Sequence, residues 1–296
     1  MQSLSAFVPL GARYMILSAF GFALMGMFVK LASVRGIPLL EIVAARSLVS
    51  ALISYLDVKR KRIPLLGTHK TLLLARGGVG TLALICVYYA LTTIPYAEAT
   101  VLQYLHPMFT ALLALVFLGE RLQRSTLLCI LFSLAGLLAI VRPEFLFTEL
   151  AASYPPLAIV AAITGAFGSA VAYVLVRTLS GREDPSVIIF YFPIIALPVS
   201  LLLLGSDFVM PSGWDWLLLL AVGVATQVGQ VGLTKAMQTE TASKATSFSY
   251  LQVVFAALLG WLVFSEVPGV WTLVGGALIV LGAFINLLGS RRAKAA

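Results

Sequence analysis

A chain of 296 residues that is 60% apolar, only 11% charged and has a mean hydropathy of +1.03 cannot clothe a water-soluble surface. Ordinary soluble domains carry about 25% charged residues, so a soluble enzyme, a disordered chain and a coiled coil are excluded; a polytopic membrane protein remains. The net charge of +8, from 20 Lys and Arg against 12 Asp and Glu, reads as basic loops beside a membrane rather than as a nucleic-acid surface.

Ten apolar runs are long enough to cross about 30 Å of hydrocarbon. In chain order they cover residues 12–33, 38–57, 70–91, 95–118, 123–142, 155–178, 185–204, 214–235, 240–264 and 268–289. The class is all-α integral membrane, with ten transmembrane helices and no inserted soluble domain. No Lys or Arg precedes the first run, so it reads as a retained span and not as a cleaved signal peptide. Cys86 and Cys129 each lie inside an apolar run, which offers neither a disulfide framework nor a metal site, and no cofactor is expected.

Orientation follows from the basic residues. With the N-terminus inside, the cytoplasmic side collects Arg13, the cluster from Lys59 to Lys70, Arg121, Arg124, Arg177, Arg182, Lys235, Lys244, Arg291, Arg292 and Lys294. The other side receives only Lys30, Arg35 and Arg142. The reading is a multi-pass protein of the bacterial inner membrane with both termini cytoplasmic.

The chain also repeats itself. At an offset of 146, Ala99, Thr100, Tyr104, Leu105, Phe109, Ala111 and Glu120 match Ala245, Thr246, Tyr250, Leu251, Phe255, Ala257 and Glu266. At 147, Ala19-Phe20-Gly21 matches Ala166-Phe167-Gly168, Ser33 matches Ser180 and Pro38 matches Pro185. Two five-helix units result, 1–148 and 149–296. Five is odd, so the second enters the membrane inverted, the construction of secondary transporters that alternate between outward-open and inward-open states.

The stretch Tyr104-Leu105-His106-Pro107 with Leu118-Gly119-Glu120-Arg121-Leu122 resembles the fourth-helix motif of EamA-type members of the drug/metabolite transporter superfamily. Tyr250-Leu251-Gln252 through Phe264-Ser265-Glu266 repeats it more loosely. Pro107 is answered by Val253 and Gly119 by Ser265, so the two halves need not bend alike. The resemblance implies a ten-helix basket whose cavity is lined by spans 1, 3, 4, 6, 8 and 9. It also implies export of amino acids, as by bacterial aromatic amino-acid exporters, or of related metabolites and drugs. An exchanger or uptake carrier for a small carboxylate or an organic cation is the alternative; a channel and an intramembrane enzyme fit less well. No HExxH, GxSxG or Walker A sequence occurs, so no hydrolytic chemistry is expected.

Polar groups in hydrocarbon are costly unless they face the bundle interior or a wet cavity. Candidate substrate-binding residues are therefore Thr81 and Tyr88 on span 3, Gln103, Tyr104 and His106 on span 4, Gln227 and Gln230 on span 8, and Tyr250 on span 9. Phe20 on span 1 and Tyr173 on span 6 add aromatic walls suited to stacking or to cation–π contact. His106, the one histidine within a span, is a candidate proton carrier, with a neutral histidine bonded to a neighbouring helix as the bland reading. Pro107, Pro193 and Pro198 mark candidate gating bends. Arg76, Lys235 and Lys244 read as snorkelling to the cytoplasmic interface, and Glu41 and Arg46 as a pair within the bundle. Glu120 and Glu266 read as caps on the helices that follow them, with Pro268 as the first residue of span 10. A small-molecule substrate and the bilayer are the expected partners, and monomer and homodimer stay open.

Overall fold

The computed structural model describes residues 8–142 and 154–295, all helix and connecting turns. The expected junction at 148 lies outside the described residues. Spans 1 to 3 are α1 (Leu10–Val34), α2 (Leu39–Lys61) and α3 (Lys70–Thr93). Span 4 is two pieces, α4 (Tyr96–Gln103) and α5 (His106–Phe117), and span 5 is α6 (Arg124–Val141). Spans 6 to 8 are α7 (Pro156–Leu179), α8 (Pro185–Leu204) and α9 (Trp214–Thr239). Span 9 is again interrupted, as α10 (Ala242–Ser247), a 3₁₀ turn (Phe248–Tyr250) and α11 (Leu251–Phe264); span 10 is α12 (Val270–Ala295).

Proline opens many of these helices. Pro9, Pro38 and Pro95 are the residues before α1, α2 and α4, while Pro156 and Pro185 are the first residues of α7 and α8. Proline has no N–H to leave unsatisfied and its φ is already helical. Pro268 does not follow this pattern, because α12 starts two residues later at Val270.

Packing between spans follows the repeat. Span 1 lies along span 8 and span 3 along span 6, two contacts that exchange when the halves exchange; span 2 on span 7 and span 5 on span 10 are their own equivalents. Side chains obey the same rule. Phe20 meets Phe255 edge-on at 5.5 Å, and their equivalents Phe167 and Phe109 meet edge-on at 5.8 Å. Lipid tails are as apolar as leucine, so helix association here rests on close van der Waals approach between small residues. Gly21 faces the backbone of Gly229, where a Cβ would come within 2.7 Å of its nitrogen, and the equivalent Gly168 faces Ala83. Gly136 and Gly275 cross backbone to backbone between spans 5 and 10. The fold is two inverted five-helix repeats about a pseudo-twofold axis.

The two interrupted spans break within two residues of the same repeat position, after Gln103 and after Ser247, and the breaks overlap at Tyr104 and Tyr250. Pro107 accompanies the first break and Val253 the second, so both halves are interrupted here although only one carries the proline. The common element is the tyrosine at the break, Tyr104 or Tyr250. Gly119 and Ser265 likewise share a left-handed conformation, at φ +63° and +57°. Span 7 runs as one helix through Pro193 and Pro198.

Candidate functional site

The breaks meet at the centre of the bundle. A helix end frees carbonyls that need donors, and Tyr250 Oη donates to Tyr104 O at 2.9 Å while the two rings stack at 5.7 Å. His106 lies beside Tyr104 at 5.9 Å and edge-on to Tyr173 at 5.4 Å. Gln103 donates through Nε2 to Ser169 Oγ on span 6 at 3.2 Å. Five of the expected residues, Gln103, Tyr104, His106, Tyr173 and Tyr250, therefore form one aromatic and polar cluster drawn from spans 4, 6 and 9.

His106 is held in two ways. Its Nδ1 faces Gln103 O at 3.0 Å, so that nitrogen carries a proton. Its Nε2 faces Ser249 Oγ at 3.4 Å, while Ser249 donates its single hydroxyl proton to Thr246 O at 2.7 Å. A neutral ring could accept the serine proton if the hydroxyl turned; a charged ring could donate to its lone pair.

Gln230 is joined to the cluster indirectly. Arg76 Nη2 donates to Gln230 Oε1 at 3.1 Å, and the guanidinium lies 5.0 Å from the Phe192 ring and within electrostatic reach of Tyr173. Arg76 is 3% exposed, so the snorkelling reading is corrected: the side chain turns into the bundle, where the amide offers an acceptor. Lys244 is corrected in the same way, being buried and paired with Glu240 at 2.6 Å. Nor do Glu41 and Arg46 pair. Glu41 accepts the Val209 N–H at 2.9 Å, and Arg46 reaches Met25 Sδ at 3.5 Å.

The other expected residues lie elsewhere. Gln227 accepts from Ser50 and donates to Ser54 Oγ at 2.9 Å, so both ends of its amide tie span 8 to span 2. Phe20 belongs to the seam between spans 1 and 9. Thr81 and Tyr88 line a largely apolar cleft of about 390 Å³ between spans 2, 3 and 7, which Pro38, Val43, Ser200 and Asp207 help to enclose. Ser169 and Arg76 are site residues that sequence reading missed. Only Arg76 carried a signal, a charge inside an apolar run.

The two ends of the bundle differ, and the repeat makes the difference measurable. At the end where span 1 begins, Arg177 Nε pairs with Glu120 at 3.0 Å, with the side chains 29% and 9% exposed. Glu120 also accepts the Ala242 N–H at 2.8 Å, and Ser180 donates to Met237 O at 3.0 Å. Glu120 is thus a cap, but on span 9 and not on the expected span 5; the unsatisfied N–H groups of α10 are the ones within reach. The repeat equivalents at the opposite end are Lys30 and Glu266, which also pair, with side chains 47% and 57% exposed. Ser33, the equivalent of Ser180, makes no side-chain hydrogen bond among the described residues and is exposed. Residues 242–250 are all buried, whereas among their equivalents 98–104 only Glu98, Ala99 and Val101 are. One end is sealed and its twin is open.

An inverted-repeat bundle with a polar centre, one sealed end and one open end defines a membrane transporter of small molecules. The EamA-like transporter family model matches residues 9–142 and 156–288, and the chain belongs to that family. It is 39% identical to the pseudopaline exporter of Pseudomonas aeruginosa over 92% of this chain and 93% of that protein. It is 34% identical to solute carrier family 35 member G1 of mouse over 92% of this chain and 76% of that protein. A crystal structure with 21% sequence identity superposes with a TM-score of 0.77, covering 94% of this chain and 98% of its own, and shows the same fold. The relatives are transporters, and the chain is a multi-pass transporter rather than an enzyme.

Proposed function

We propose that this protein exports amino acids, aromatic ones included, or closely related small metabolites, by alternating access through the centre of the two repeats. The observation that carries the reading is the inequality of two equivalent ion pairs, Glu120–Arg177 largely shielded and Lys30–Glu266 exposed. Inverted halves can trade these environments at little cost in energy, which is how one bundle opens to either side in turn. The excess of Lys and Arg on one side supports a reading in which the sealed end and both termini face the cytoplasm of a bacterial inner membrane. Outward transport is supported by the likeness to a bacterial exporter. The stack of Tyr104 on Tyr250 with His106 and Tyr173 beside it suits a planar side chain.

His106, the one histidine within a span, is the residue we assign to proton coupling. Proteoliposomes preloaded with labelled amino acids test the whole reading. Efflux is expected to rise with an inward-directed proton gradient, and His106→Gln to abolish that rise while leaving counterflow intact. Gradient-independent efflux in both proteins would remove proton coupling; no efflux or counterflow of any amino acid would remove the substrate reading.

A further inference from the structure

Two guanidinium groups inside the bundle have no counter-ion among the described residues. Arg76 is 3% exposed and Arg46 is 9% exposed. Arginine stays charged in any protein environment, and a buried charge is costly without a partner. Among the described residues, the hydrogen bonds of Arg76 and Arg46 are one each, to Gln230 Oε1 at 3.1 Å and to Met25 Sδ at 3.5 Å. Both Nε atoms are buried with no acceptor.

Among the described residues no carboxylate bonds to either guanidinium; those on the packed spans make their contacts elsewhere, and one Glu41 oxygen is itself buried without a partner. Glu41 is on the Val209 N–H, Glu98 on Tyr154, Asp57 on Arg60 and Lys61, and Asp215 on Arg35. The groups that do face the guanidiniums are neutral. Tyr173 and Phe192 stand by Arg76, and Tyr88 by Arg46, where its ring also lines the apolar cleft. The two sites lie at different depths. Counting about 1.5 Å per residue, Gln230 is about 14 Å from the sealed end along α9, and Met25 is about 22 Å from it along α1.

We propose that Arg76 with Gln230, and Arg46, are two carboxylate subsites, and that the cargo is an organic or amino acid with carboxylates roughly 8 Å apart in depth. This rests on the transport reading above and narrows its substrate class. A guanidinium fork and a planar carboxylate match in shape and charge. A phosphate ester concentrates up to two charges on one group and calls for donors converging on one point; two separate single cations match carboxylates. The anion arrives as cargo, so each cycle supplies and removes the missing counter-charge.

The test uses the full chain in nanodiscs with pimelate, L-phenylalanine, choline and glucose 6-phosphate as probes, read by thermal shift and by equilibrium binding. Pimelate is expected to stabilise most and L-phenylalanine less, with no shift from choline. Arg76→Gln and Arg46→Gln should each weaken pimelate binding by about tenfold or more, the loss of a charge-assisted hydrogen bond. Each glutamine variant should, without ligand, unfold at or above the temperature of the unmodified protein, because an unpaired buried charge has gone. Arg76→Lys, which keeps the charge, should retain part of the binding.

Stabilisation by choline or glucose 6-phosphate alone, by no probe, or by pimelate equally in both glutamine variants would overturn the proposal. So would a marked fall in unliganded stability in both variants, which is the signature of purely structural arginines. Counterflow in proteoliposomes separates this inference from the reading it rests on. Exchange of neutral amino acids without competition from pimelate removes the subsites and keeps transport. Pimelate binding that depends on both arginines, with no exchange of any probe, keeps the subsites and removes transport.

Discussion

Ser265 holds φ +57°, a conformation in which its Cβ crowds the following carbonyl, while the repeat equivalent Gly119 holds φ +63° at no such cost. Both stand at the hairpin that follows an interrupted span. Ser265→Gly is therefore expected to raise stability by about 0.5–1 kcal/mol after the extra freedom of the unfolded glycine is set against it, read as a higher unfolding temperature with unchanged transport. Glu183, in the turn between spans 6 and 7, is a second informative residue. Burial pushes its carboxyl up, but donors on Thr68 and His69 outweigh burial and hold its pKa down to about 2. A lowered pKa means the contact is complete above the unfolded value near 4.5 and is lost as pH falls toward 2. Glu183→Gln should cost about 1–2 kcal/mol at neutral pH, and the gap from the unmodified protein should narrow as unfolding is followed below pH 4.5.

At the scale of elements, most of the helices were legible because each is an apolar run closed by charge, glycine or proline, and hydropathy sums locally. Their interruptions were not. Nothing in the Phe248–Tyr250 segment resembles a helix breaker, and its break is supported from outside: Tyr250 reaches Tyr104 across the repeat axis. Glycine had a similar double meaning. The sequence shows Gly136 and Gly275 inside apolar runs, yet that each is the only residue the other admits depends on how spans 5 and 10 cross. Gly275→Leu is expected to cost about 3 kcal/mol or more, since overpacking falls on backbone that cannot turn aside; Gly276→Leu, which meets open space, should cost far less. Thermal unfolding in detergent compares the pair directly.

For the whole molecule, the sealed end rests on few groups, so its equilibrium should move with them. Glu120→Gln leaves Arg177 without its counter-charge and weakens the cap on Ala242, and should favour the state open at that end by about tenfold. A single cysteine at Ser243, buried here, should then react faster with a water-soluble maleimide, in a background where Cys86 and Cys129 are replaced; Glu266→Gln should change that rate little.

The one-dimensional record was sufficient for the number of spans, the equivalence of the halves and the basic excess of one side, since each is a sum over neighbouring residues or a comparison of two stretches. It matched Tyr104 with Tyr250 as repeat equivalents, but that the two meet on the axis only the structure shows. It did not tell Gln227, bound to Ser50 and Ser54, from Gln230, bound to Arg76, although the two lie one turn apart on one helix. In a bilayer a polar side chain has no water to fall back on, so its role is set by the helix it faces, and that helix lies more than 150 residues away in the chain. Which end of a nearly symmetric bundle is shut is a further step removed: both ends carry the same pair of charges, and only the packing of the spans around them makes one a seal and leaves the other in the open.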